Sequence, residues 1–189
     1  MTTIRDIDFL GDEALRSRLV KLSLVIIVLG FIGEFALALL GAAPISAERG
    51  RLPFAGDVAQ VAWLILLALV VLVALPVHEL IHAACFRLFG GPGTRVTFGY
   101  QAGMLYASCP GLVLERGRFC IVLAAPAVIL SAALLGAGSA LGFPNLGYLA
   151  FVLHLSGCAG DLLAIWEIRR ERRCSRCEDT EVGVRLLGA

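Results

Sequence analysis

Charge is what this chain has least of. Only 16% of its 189 residues are Asp, Glu, Lys or Arg, and Lys21 is its single lysine. A soluble domain carries about 25% charged residues, so an ordinary water-soluble globule is excluded. Residues 58–77 and 119–153 hold no charge at all. The net charge of +1 leaves no basic excess for a phosphate backbone, and no nucleic-acid partner is expected. The six cysteines, at 85, 109, 120, 158, 174 and 177, lie mostly inside apolar stretches. There a thiol behaves as a small hydrophobe, and the spacing does not form a secreted disulfide framework. A cleaved leader is not expected either. Polar residues run to Arg18, and the apolar segment after them extends to residue 43, beyond the roughly 7–15 residues of a leader's apolar region. No internal repeat or low-complexity segment breaks the chain.

What remains is apolar: 59% of residues are hydrophobic and the mean hydropathy is +0.87. A bilayer core of about 30 Å takes about 20 helical residues to cross. Four segments meet that length, at about residues 19–40, 58–88, 119–141 and 146–168. Arg is unevenly placed. Arg5, Arg16, Arg18 and Lys21 precede or open the first span; Arg87, Arg95, Arg116 and Arg118 lie between the second and third; Arg169, Arg170, Arg172, Arg173 and Arg176 follow the fourth. The connection at 142–145 has no charge, and Arg49 and Arg51 are opposed by Glu48 and Asp57. Basic loops stay on the cytoplasmic side, so both termini are expected there and the segment 43–57 outside.

Between the second and third spans the pattern changes. Gly90-Gly91-Pro92-Gly93 stops the helix. Val96, Phe98 and Tyr100 then alternate with Arg95, Thr97 and Gly99, the period of a strand. Gln101-Ala102-Gly103 can turn, and residues 104–108 can return before Pro110. A hairpin over about residues 94–108 is expected. The class is therefore an all-α polytopic membrane protein with about four transmembrane helices and a β-hairpin between the second and third. Its parts would be a cytoplasmic segment 1–18, a four-span domain 19–168 and an Arg-rich cytoplasmic tail 169–189.

The chemistry is concentrated in His78-Glu79-Leu80-Ile81-His82. On a helix, histidines at i and i+4 share one face and bind one zinc, with the glutamate beside them as general base. Two histidines and a glutamate merely packed between spans would be costly, because ionisable groups inside a membrane are expensive. A catalytic zinc takes three protein ligands and keeps one position open. The third is expected from another span at matching depth. Asp161 is the only carboxylate in residues 119–165. It stands eight positions before Arg169, and His82 stands five before Arg87, so their depths agree within about one turn. The small residues Ser156-Gly157-Cys158-Ala159-Gly160, with Ala83-Ala84 opposite, let two spans approach. Cys158 and His154 are rival third ligands, and His154 is also a candidate hydrogen-bond partner behind the metal. Glu34 lies inside the first span and is read as a neutral or paired group. Pro76 is expected to kink the second helix near the site. Cys174-Ser175-Arg176-Cys177 has the spacing of half a zinc knuckle without a second pair, and is read as incidental or redox-labile thiols.

These residues resemble the site-2 protease clan of intramembrane zinc metalloproteases, and more closely the "putative zincin peptidase" family of small bacterial membrane proteins. In that clan the His-Glu-x-x-His lies on the first core helix, a β-hairpin follows, and an Asp ligand lies on the third core helix. Those features would fall on the second span, residues 94–108 and the fourth span, with the first span an addition. Ala124-Ala125-Pro126 matches the small-residue-Pro pattern of the clan's middle helix. Asp161 carries over, while the clan's Asn, Pro and following Gly are replaced by the residues around it. The resemblance implies a Zn2+-dependent endopeptidase of a bacterial plasma membrane. Its partners would be the lipid bilayer and a membrane protein or peptide substrate. Zinc would be held by His78, His82 and Asp161, with Glu79 catalytic. A non-catalytic zinc-binding scaffold and a metal or proton carrier are the alternatives.

Overall fold

The structure is a computed structural model that describes residues 2–9, 11–41, 44–101, 104–180 and 183–188. The expected turn residues Ala102 and Gly103, and Ala43 in the connection after the first expected span, lie outside the described residues. The chain is mostly helical. A strand β1 (Thr3–Asp8) leads into helix α1 (Glu13–Leu39), and a short α2 (Ile45–Arg49) precedes α3 (Gly56–Gly90). Strands β2 (Thr97–Gln101), β3 (Met104–Ser108) and β4 (Val113–Glu115) follow, then α4 (Arg116–Leu141), α5 (Pro144–Gly157), α6 (Ala159–Arg170), β5 (Arg176–Thr180) and β6 (Gly183–Leu187).

Three of these helices, α1, α3 and α4, are long and apolar enough to cross a membrane. Asp12 caps α1, its carboxylate accepting from the amides of Ala14 and Leu15 at 2.8 and 3.1 Å. The outward face of α1 carries Leu24, Val28, Phe31 and Phe35, each more than half exposed. Such a surface would be a liability in water and is the expected one in lipid. Helix α3 runs unbroken for 35 residues through Pro76 and ends at Gly91, whose φ of 81° favours glycine.

The expected fourth span is two helices, α5 and α6, meeting at Cys158 with a 50° bend. Small residues make this corner close to its neighbours. The Ser23 hydroxyl donates to the Ser156 carbonyl at 2.9 Å, and the Tyr148 hydroxyl to the Gly30 carbonyl at 3.0 Å, fastening α1 to α5. Between α4 and α5, a Cβ on Gly138 would stand 2.7 Å from the Gly147 Cα, so the two backbones touch only because both residues are glycine.

At the far end, Glu48 is buried. Its carboxylate accepts from the Trp63 indole at 3.0 Å, the Asn145 amide and side chain at 2.5 and 2.8 Å, and the Leu146 amide at 3.2 Å. It thereby caps the first turn of α5 from another element and favours the positive end of that helix. Glu48 is thus enclosed and bonded, where the sequence reading had counted it as a loop charge.

The larger departure from the all-α expectation is a four-stranded antiparallel sheet of order β1-β6-β5-β4. Segments read as an N-terminal extension and a basic tail are strands, joined through β1–β6. Ile7, Leu114, Cys177, Val184 and Leu186 turn inward against Leu15, Phe119 and Ile168 at the helix ends. Glu167 on α6 is buried and paired with Arg5 of β1 at 2.8 Å and Arg18 of α1 at 3.1 Å. Strands β2 and β3 form a separate hairpin, pairing Thr97 with Ser108 through Gln101 with Met104.

Candidate metal centre

All three histidines of the chain meet at one place. Helix α3 presents His78 and His82 one turn apart, and the α5–α6 bend turns Asp161 toward them. His78 Nε2 lies 3.2 Å from Asp161 Oδ2, His82 Nε2 lies 3.5 Å from Oδ1, and the two Nε2 atoms are 3.0 Å apart. Zinc bonds of about 2.0–2.1 Å in tetrahedral geometry set neighbouring donors about 3.4 Å apart. The two Nε2 atoms and the Asp161 carboxylate are therefore spaced as a zinc would require, and Nδ1 of each histidine points away. Among the described residues, this is one of two groups spaced to hold a metal ion.

Each ring has a partner on its outer nitrogen. His82 Nδ1 is 3.0 Å from the Val122 carbonyl of α4. A carbonyl only accepts, so His82 carries its proton on Nδ1 and leaves the Nε2 lone pair for a metal. His78 Nδ1 is 3.2 Å from His154 Nε2. A proton donated along that contact fixes His78 in the same tautomer.

The rivals His154 and Cys158 are thus gathered around the outer nitrogen of His78. Cys158 Sγ is 3.7 Å from both His78 Nδ1 and His154 Nε2, and these atoms form the second group. The two groups share His78, but only Asp161 faces both Nε2 atoms. Glu34 is elsewhere, near Glu48 and Tyr148.

Glu79 stands between the metal donors and the hairpin, on the stretch of α3 that packs against β3 near Ala107. The end of β3 is held in turn by the sheet. Asp179 Oδ2 on β5 accepts from the Ser108 hydroxyl at 2.9 Å and the Cys109 amide at 2.5 Å. Burial pushes the Asp179 carboxyl above its ordinary range, against those two hydrogen bonds. Val122 and Asp179 are absent from the sequence reading. The first acts through a backbone atom that any residue carries, and Asp179 sits in a segment without strand periodicity.

Cys174 and Cys177, expected to be incidental or redox-labile thiols, belong to the packed core. Both are buried, their sulfurs 3.7 Å apart, and neither belongs to a group spaced for a metal among the described residues. Burial, then the neighbouring Cys174, pushes the Cys177 thiol up, away from the reactive thiolate.

No curated protein and no solved structure matches the chain. The profile of one family, described as "putative zincin peptidase", matches residues 71–176. That span takes in the His78–His82 turn, the hairpin and Asp161, and it is more than half of the sequence. On that match, the chain belongs to the putative zincin peptidase family.

Proposed function

We propose that the protein is a zinc-dependent endopeptidase working within or at the surface of a membrane, related to the site-2 protease clan. The observation that carries this reading is the convergence of His78, His82 and Asp161 with Glu79 beside them. Zinc, when bound there, supplies a Lewis acid that polarises a scissile carbonyl and acidifies water. Glu79 accepts the water's proton and passes it to the leaving amine. Hydrogen bonds from His78 to His154 and from His82 to Val122 orient the two ligand rings. A substrate must leave helical form to expose its carbonyl, and the β2–β3 hairpin beside Glu79 offers strand pairing to an extended peptide. The chain is tested by reconstituting it with tagged membrane proteins. Chelation is expected to abolish cleavage, and stoichiometric zinc to restore it; cleavage that survives complete zinc removal would exclude the mechanism. A scaffold would bind the same proteins without turnover.

The same reading places the chain in a bacterial plasma membrane with four crossings, α5 and α6 together forming the last. Two independent observations support it. Arg is concentrated at both termini and between α3 and α4. In addition, β1 precedes the first crossing and β6 follows the last, yet the two strands pair. Neighbouring strands require an even number of crossings, and three would separate them by a bilayer. Reporter fusions are expected to place both termini in the cytoplasm and the α1–α3 connection outside. A C-terminus on the outer side would end the topology and the depth match built on it.

A further inference from the structure

We propose that Asp179, outside the residues matched by the family, is a positioning residue: it fixes the end of β3 where the hairpin packs against α3 beside Glu79. The argument is one of adjacent handles on one strand. Strand β3 packs against α3, the helix that carries Glu79. At its end, Ser108 and Cys109 donate to a single oxygen of Asp179 on β5. Two further bonds brace that junction, from the Gly111 amide to the Asp179 carbonyl at 3.0 Å and from the Asp179 amide to the Leu112 carbonyl at 3.0 Å. Asp179 is 8% exposed, so its hydrogen bonds are made without competition from water. Beyond the β2–β3 pairing, the hairpin is thus held from one side by packing on α3 and from the other by the C-terminal sheet. Loss of the second hold leaves β3 free to slide or lift, and the wall of the site beside Glu79 loses its fixed position. Residues 176–187 thereby join the reacting unit that the α3 motif and Asp161 begin.

Because both bonds go to one oxygen, Asp179→Asn can keep them through its amide carbonyl, whereas Asp179→Ala cannot. The activity readout rests on the peptidase reading; the thiol readout does not. The buried Cys109 reports on the end of β3, and Cys174 and Cys177 report on the sheet. In the full-length protein, maleimide labelling located by mass spectrometry is expected to modify Cys109 about 10-fold faster or more in Asp179→Ala, with Cys174 and Cys177 still protected. Asp179→Asn, which removes the same charge, should label within about threefold of wild type. With zinc held at one per chain, kcat should fall about 10-fold in the Ala variant and recover in the Asn variant. Equal Cys109 labelling in the Ala and Asn variants would overturn the proposal. So would simultaneous opening of Cys109, Cys174 and Cys177, which would show that Asp179 holds the sheet as a whole. An inactive wild type with the expected labelling would instead refute the peptidase reading and leave the positioning role standing.

Discussion

Replacing Glu79 by Gln is expected to leave zinc bound and to lower peptide cleavage by about 100-fold or more. Gln has the same length and shape, so β3 keeps its packing against α3. What it lacks is the ability to take a proton. Asp161→Ala makes the opposite change: it leaves the base in place and removes the carboxylate that faces both Nε2 atoms. Zinc affinity and cleavage should then fall together. Measuring metal content and turnover on the pair separates ligand from base. If Asp161→Ala keeps its zinc while His154→Ala loses it, the metal sits among His78, His154 and Cys158. A scaffold would tolerate Glu79→Gln in every functional assay and still require Asp161.

The double substitution His78→Ala, His82→Ala is expected to empty the site entirely. It removes two of three donors, and His78 belongs to both groups of side chains spaced for a metal, so neither group survives. Full zinc occupancy in that variant would end the metal reading. The control is Cys174→Ser with Cys177→Ser, expected to retain one zinc per chain. That protein should nevertheless unfold more easily, because placing hydroxyls in an apolar interior costs about 1–3 kcal/mol each without a partner. Zinc loss in the cysteine variant would move the metal from α3 to the tail.

The parts of the molecule visible in its sequence are those written in local periodicity. Uncharged runs marked the long helices, and Val96-Thr97-Phe98-Gly99-Tyr100 marked strand β2. The His78–His82 spacing located two donors, and a depth count from flanking arginines brought Asp161 to the same level. The 50° bend at Cys158 was not visible, because a run of small residues is compatible with a straight helix as well as a bent one. The four-stranded sheet was hidden for a different reason. Its strands are short, and β5 reads Arg-Cys-Glu-Asp-Thr, in which the inward positions are a cysteine and an aspartate. Burial of Asp179 follows from partners about 70 residues away, and burial of Glu48 from a helix start about 97 residues away. Non-local pairings of that kind leave no period in the sequence.

The pairing of β1 with β6 also sets an order of events during synthesis. Strand β1 is made before its partner, residues 183–187, which comes about 175 residues later. At about 5–20 residues per second, β1 waits on the order of ten to forty seconds without its neighbour. On the proposed reading, all three metal donors are present once Asp161 emerges, but the Asp179 bonds to Ser108 and Cys109 wait for β5. A nascent chain can therefore carry its metal ligands before its hairpin is seated. On the proposed peptidase reading, a ribosome-bound chain that has passed Asp161 but not Asp179 should hold zinc while cleaving slowly.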